Sequence, residues 1–196
     1  MLENWFFLAA VFAVLMIPGP TNALLASCAH QQGIAKTSLY VPIQLAGYAY
    51  AIGLWALFIH LMQPIWPKIN LIAHIGSSLY TLIWAFYLWQ AKHLEKHSQT
   101  HPAIKLYQLF FATLKNPKAL LFAAGIFPMQ TWEHPSIALR VFSFFSIILI
   151  PTAFFWMCFG RALLNPDNSQ KNANRLYKGS AVLLVVCVLP VLIGLL

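Results

Sequence analysis

Long stretches without a charged residue constrain this chain more than any other feature of its sequence. Each approaches or exceeds the roughly 20 residues that a helix needs to cross a bilayer. The uncharged stretches are Trp5–Ala29, Thr37–Gln63, Ile69–Ala91, Val141–Gly160 and Gly179–Leu196. A sixth stretch of similar length, Leu106–Met129, is interrupted only by Lys115 and Lys118. We therefore predict an all-α integral membrane protein with six transmembrane helices.

The composition leaves no surface for a separate soluble domain. The chain is 60% hydrophobic and only 8% charged, against roughly 25% charged residues in soluble globular domains. One transmembrane domain over residues 1–196 is therefore predicted. The first stretch is too long for the core of a signal peptide and lacks a basic segment before it, so we expect it to remain in the mature protein. The three cysteines all fall in apolar stretches, where they indicate no disulfide, metal or cofactor site.

The positive charges favour alternate loops. Eight of the twelve lie between the first and second, third and fourth, or fifth and sixth stretches: Lys36, Lys92, Lys96, Lys105, Arg161, Lys171, Arg175 and Lys178. The positive-inside rule then predicts that both termini lie outside the cytoplasm. Because these charges are dispersed over three loops, they favour contact with membrane lipid and give no reason to expect a nucleic-acid partner.

The two halves of the chain each begin with a stretch that is broken by proline. The first break is at Pro18, Gly19 and Pro20, and the second is at Pro117. Each lies about 11 to 13 residues after the start of its stretch, which at ~1.5 Å per residue is near the bilayer midplane. Three spans per half make the halves antiparallel, so the pattern predicts two inverted three-helix repeats. Repeat 1 covers about 1–91, a cytoplasmic linker covers 92–105 and repeat 2 covers about 106–196.

A proline in a helix removes one N–H and frees the carbonyl four residues earlier. The breaks are therefore expected to free the carbonyls of Val14, Met16 and Thr113. At membrane depth such groups are tolerated only where protein buries them or where they line a wet cavity. The helix that restarts after the first break is also expected to present unpaired N–H groups at Thr21, Asn22 and Ala23, which suit a carboxylate.

The lysines of the second break differ in their expected depth. A lysine at mid-bilayer costs at least ~2.5 kcal/mol and by default indicates function. Lys115 lies closer to the cytoplasmic end and can extend its side chain to the interface. Lys118 is therefore the predicted functional lysine.

The residues at the two breaks resemble the LysE/RhtB family of bacterial amino-acid exporters, and the resemblance covers the whole chain. Its strongest motifs are Pro18-Gly19-Pro20-Thr21-Asn22, Gly33, Asn116-Pro117-Lys118-Ala119 and Phe127-Pro128-Met129-Gln130. Weaker matches are Gly47, Gly76, Tyr80 and Lys178-Gly179. The resemblance implies proton-driven export of a small amino acid or related metabolite across the bacterial cytoplasmic (inner) membrane.

The predicted mechanism is alternating access, with the two repeats moving around a central site. The restarted helix takes the substrate carboxylate, Asn116 and Lys118 complete a polar clamp, and Gln44 and Tyr48 contact the substrate amine or a water relay. The predicted substrate-binding residues are Pro18, Gly19, Pro20, Thr21, Asn22, Gln44, Tyr48, Asn116, Pro117 and Lys118. The set contains no acidic group that would favour a cationic substrate such as lysine, so a neutral amino acid is slightly preferred. A homodimer is one possible assembly.

The chain departs from the family pattern at two positions. Thr21 replaces an asparagine that usually follows the first motif, and Tyr48 lies where many members carry an acidic residue. The four acidic residues of the chain are terminal or in loops, so none is an obvious proton carrier in the membrane. His60 or His74 could titrate instead, although each lies close to the end of a span.

Two alternatives come from other functional classes. His93, His97 and His101 recur at a spacing of four, on one face if the loop is helical, and three imidazoles could bind a metal in an efflux protein. The competing interpretation is a short cationic linker, which we favour because the loop lacks a dense histidine tract. A membrane-embedded enzyme is also disfavoured, because no motif marks a serine that could pair with Lys118 as nucleophile and base.

Overall fold

The computed structural model describes residues 2–17, 19–90 and 104–163, together with Lys178, Val182 and Val185. Within these residues every regular element is helical. The helices are α1 (Leu2–Met16), α2 (Pro20–Gln32), α3 (Ile34–Thr37), α4 (Tyr40–Met62), α5 (Ile69–Gln90), α6 (Leu106–Leu114), α7 (Lys118–Leu121) and α8 (Pro135–Leu163). A π-helical turn, Phe122–Ile126, follows α7, and a 3₁₀ turn, Met129–Thr131, precedes α8.

Two of the described helical segments are long and apolar enough to cross a membrane. They are Ile34–Met62, which joins α3 to α4, and Pro135–Arg161 in α8. The bent pair Trp5–Met16 and Pro20–Gln32 makes a third if it forms one span. The predicted all-helical class is thus confirmed for the described residues, while six spans and an inverted repeat stay predictions. The sixth predicted span lies almost wholly outside the described residues.

The distribution of polar and apolar side chains on α4 is the reverse of that on a water-soluble helix. Its inner face buries Gln44 and Tyr48, whereas its outer face exposes Leu54, Leu57 and Leu61. Large exposed apolar side chains also cover α5 and α8. Soluble monomers rarely expose contiguous apolar surface of this extent, so the exterior is suited to lipid.

The first break divides the first predicted span into two helices that meet at 60°. Gly19 is the N-cap of α2 and has extended backbone angles (φ −156°, ψ 175°). Pro20 is the first residue of α2, where a fixed φ and a missing N–H are compatible with helix initiation. The sequence therefore ends α1 and begins α2 within three residues.

The second break is more extensive than a simple kink. α6 ends at Leu114, and after Asn116 and Pro117 the chain forms only one α-helical turn, α7, before the π-helical turn begins at Phe122. π-helical turns are rare and occur frequently at functional sites. The fourth predicted span is thus a series of short helical pieces.

Close helix packing fixes the position of both breaks. α2 packs along α8, and α4 packs along α6. A Cβ added to Gly160 of α8 would lie 2.5 Å from Ala26 of α2, and one added to Gly47 of α4 would lie 2.8 Å from Thr113 of α6. Glycine is required at both positions because any side chain would overlap with the neighbouring helix.

Candidate functional site

The two helix breaks meet at the side chain of Lys118. Its ammonium donates a hydrogen bond of 2.6 Å to the backbone carbonyl of Ile17, which belongs to the other break. Lys118 is buried, with 9% of its surface exposed. Gly19 eases this approach, since a Cβ there would lie 3.2 Å from Lys118 Cε and 3.3 Å from Nζ and would require a small shift of the lysine. We call the region around this contact the junction, made of Ile17, Thr21, Tyr48, Asn116 and Lys118.

Asn116 connects three elements at the junction. Its Nδ2 donates to Thr21 Oγ1 of α2 at 3.2 Å and to the Tyr48 hydroxyl of α4 at 3.0 Å. Its Oδ1 accepts the Lys118 backbone N–H at 3.1 Å, which satisfies a donor at the start of α7. All three side chains are buried. Asn116 therefore fixes both the backbone of Lys118 and the distance between the two breaks.

Asn22 bonds to the broken helix itself. Its Nδ2 donates to the carbonyls of Leu15 and Ile17, both at 2.8 Å. Both differ from the carbonyls that the proline positions predict to be freed, which are those of Val14, Met16 and Thr113. The carbonyls of Val14 and Thr113 each accept a backbone N–H from three residues later, at 3.3 Å and 3.0 Å. Tight local turns thus pair the Val14 and Thr113 carbonyls with backbone N–H groups. The Asn22 side chain instead donates to the two carbonyls nearest the bend.

The expected N–H groups at the start of α2 are only partly as predicted. The N–H of Ala23 is not free, because it donates to the Gly19 carbonyl at 2.9 Å as the first bond of α2. The side chains of Thr21 and Asn22 both lie at the junction. Thr21 accepts a hydrogen bond from Asn116, and Asn22 donates one to the Ile17 carbonyl at the bend. The prediction of an unpaired N–H is therefore wrong for Ala23, and binding of a carboxylate at this helix end stays a prediction.

The remaining predicted residues fall into three groups. Gln44 is buried in α4, one turn before Tyr48. Pro20 is the first residue of α2 and is exposed, and Pro117 is the half-buried N-cap of α7, so both shape the backbone around the junction. Pro18 lies outside the described residues.

An aromatic layer covers one side of Tyr48. The rings of Phe122 and Phe145 lie 6.0 Å and 5.6 Å from the Tyr48 ring, and 5.1 Å from each other, all with edge-to-face geometry. Phe127 joins them at 5.8 Å from Phe145. All four rings are buried. The layer excludes water from that side of the junction. Phe127 belongs to the Phe127-Pro128-Met129-Gln130 motif, whereas no sequence motif marks Phe122 or Phe145.

The environments of the alternative candidates are also informative. Lys115 is exposed, in contrast to Lys118. The hydroxyls of Ser143 and Ser146 bond to carbonyls of their own helix. Among the described residues, no group of three His, Cys, Asp or Glu side chains could bind a metal ion. His93, His97 and His101 lie outside those residues.

The motifs that resemble the LysE/RhtB exporters supply most of the junction. Gly33, a further motif position, has φ 85°, a backbone angle that favours glycine, and it separates α2 from α3. Comparison of the chain with protein-family models, curated proteins and solved structures finds no match. Membership of that family stays a prediction.

Proposed function

We propose that this protein is a secondary transporter that moves small amino acids or related metabolites across the bacterial cytoplasmic membrane by alternating access. The observation that supports this most is the buried ammonium of Lys118, which bonds to a neutral backbone carbonyl of the opposite helix break. Among the described residues no acidic side chain pairs with Lys118, and a buried cation without an anionic partner is unfavourable. A substrate carboxylate would supply that partner.

The contacts of Lys118 would allow a substrate carboxylate to replace the Ile17 carbonyl as its hydrogen-bond partner. The Ile17 carbonyl accepts from both Lys118 and Asn22, so it keeps one donor when the ammonium leaves. A hydrogen bond from an ammonium to a carboxylate is roughly twice as strong as one between neutral groups. A substrate carboxylate can therefore compete for Lys118 without leaving the Ile17 carbonyl unpaired.

The same exchange offers a physical link to alternating access. The bond from Lys118 to Ile17 joins the two breaks, and its replacement by substrate would remove one restraint between them. α2 of the first predicted repeat packs along α8 of the second, and α6 of the second packs along α4 of the first. Each broken span therefore lies against a helix of the other half, which supports a motion of the two halves around the junction. The proposal also includes six transmembrane spans, termini outside the cytoplasm and coupling to the proton gradient. The sequence patterns and the family resemblance support these three parts.

The direct experiment uses purified full-length protein in proteoliposomes. A labelled panel of alanine, threonine, leucine, lysine and Zn²⁺ is tested for exchange with unlabelled internal solute, with empty liposomes as the control. We expect exchange of at least one neutral amino acid, which a proton gradient increases. Zn²⁺ movement without amino-acid exchange would contradict the proposal and favour the metal-efflux alternative. Reporter fusions at both ends of the chain test the predicted orientation.

A further inference from the structure

One buried acceptor near the junction has no donor among the described residues. The Oε1 atom of Gln44 is inaccessible and makes no hydrogen bond to them, and only 2% of the side chain is exposed. Buried polar groups in native proteins are nearly always paired, so an unpaired one requires an explanation. An amide oxygen is an acceptor only. Its missing partner must therefore be a donor.

The position of Gln44 relates it to the junction. Tyr40, Gln44 and Tyr48 recur at a spacing of four on one buried face of α4. The hydroxyl of Tyr40 donates to the Ile104 carbonyl, and that of Tyr48 accepts from Asn116. Only the middle member has an unpaired acceptor. Four residues of α4, about 6 Å along the helix axis, separate it from Tyr48.

We propose that Gln44 Oε1 accepts a hydrogen bond from the ammonium group of the transported substrate, so that the site selects zwitterionic α-amino acids over carboxylates of the same shape. This inference rests on the proposed transport function and adds the second recognition contact. Lys118 bonds to the carboxylate at the junction, and Gln44 bonds to the ammonium on the side toward the start of α4. Tyr48 is the poorer acceptor because its hydroxyl already accepts from Asn116.

The charge around the junction narrows the substrate class further. The buried polar residues that the structure describes are Thr21, Asn22, Thr37, Gln44, Ser78, Thr113, Asn116, Lys118, Thr131 and Thr152. None of these is a carboxylate, so Lys118 in its protonated form gives the described interior a positive charge. One substrate carboxylate balances that charge, and a neutral amide is sufficient to orient the ammonium. A second positive charge on the substrate, as in lysine, would be unfavourable.

The test compares two ligands that differ only in the ammonium group. The first ligand is the amino acid that exchanges best in proteoliposomes. The second is its analogue with hydrogen in place of the ammonium group, such as propanoate for alanine or 4-methylpentanoate for leucine. Affinities are measured by competition against exchange of the labelled amino acid. Ligand-induced thermal stabilisation of the purified protein gives a second measurement for any variant that transports too slowly. The variants are Gln44→Met, which conserves shape, Gln44→Glu, which conserves an acceptor, and Gln63→Met, a control at an exposed glutamine where α4 ends.

We expect Gln44→Met to weaken binding of the amino acid at least about tenfold and to change binding of the analogue less than about twofold, because only the amino acid loses a hydrogen bond. Gln44→Glu should keep the preference for the amino acid, and Gln63→Met should resemble the wild type. Equal losses for both ligands, or no loss for either, would overturn the inference and assign the donor to a trapped water or to another part of the chain. In that case amino-acid exchange by the wild type would still support the proposed function. If the wild type exchanges and binds none of the panel, both proposals fail.

Discussion

Replacement of Lys118 by methionine should abolish most transport while leaving the free energy of unfolding nearly unchanged. The substitution removes a charge-assisted hydrogen bond worth about 1.5 to 3 kcal/mol. It also removes the cost of at least ~2.5 kcal/mol for a lysine at mid-bilayer, the depth that the sequence predicts for Lys118. The two effects nearly cancel, and the Ile17 carbonyl keeps its bond from Asn22 at 2.8 Å. We therefore expect the free energy of unfolding to change by no more than about 1 kcal/mol.

The expected effect on transport of Lys118→Met is large. Removal of one member of a buried charged pair costs about 2 to 5 kcal/mol, which corresponds to a ~30- to ~5,000-fold loss in transport at limiting substrate. The assay is amino-acid exchange in proteoliposomes that contain equal amounts of folded protein. Lys115→Met is the matched control, since Lys115 is exposed three residues away. Exchange within about threefold of wild type in Lys118→Met, or an equal loss in Lys115→Met, would refute the reasoning.

Three further perturbations test the contacts around the junction. Asn22→Ala removes the donor to the bend and should lower the free energy of unfolding by about 1 to 3 kcal/mol; an unchanged unfolding curve would contradict this. Gly47→Ala should destabilise the protein by ~1 to 3 kcal/mol through overlap with α6. Gly53→Ala in the same helix should not, because its added Cβ meets nothing within 4 Å, and equal unfolding midpoints would refute the packing. Tyr48→Phe removes one acceptor of the Asn116 amide and should reduce the exchange rate about 2- to 10-fold, whereas complete loss would indicate a direct role for the hydroxyl.

The sequence predicts where helices lie better than where they begin. The uncharged stretch Ile69–Ala91 corresponds closely to α5, Ile69–Gln90. In contrast, the stretch Val141–Gly160 misses the first turns of α8, which begins at Pro135 and includes the exposed Arg140. Charge limits the part of a helix that can lie in lipid, whereas the helix itself continues until its backbone hydrogen bonds end. The two limits need not coincide.

The sequence also predicts that the breaks should lie at similar depth, but it does not predict the atoms that connect them. The acceptor of Lys118 is a backbone carbonyl, and a carbonyl has no side-chain signature in a sequence. Its direction depends on the 60° bend between α1 and α2 and on the contact of Asn22 with the bend. The proline positions indicate that a bend exists without giving its angle.

The aromatic layer was unpredictable for a different reason. Tyr48 is on α4, Phe122 begins the π-helical turn and Phe145 is on α8, so their contacts join distant parts of the chain. Tyr48 is a predicted site residue, whereas Phe122 and Phe145 are ordinary apolar residues of candidate spans when considered alone. Only the packing of the helices brings the rings together beside Asn116.

The distance between Lys118 Nζ and the Ile17 carbonyl in a lipid bilayer tests the central claim most directly. It can be measured by solid-state NMR through the dipolar coupling between ¹⁵N-labelled lysine side chains and ¹³C-labelled isoleucine carbonyls, with Lys118→Met to assign the signal. Without substrate we predict the strong coupling of a direct hydrogen bond, as in the 2.6 Å contact of the structure. With a saturating transported amino acid we predict that the coupling is lost, because the substrate carboxylate replaces the carbonyl. No coupling without substrate, or an unchanged coupling with it, would contradict the account.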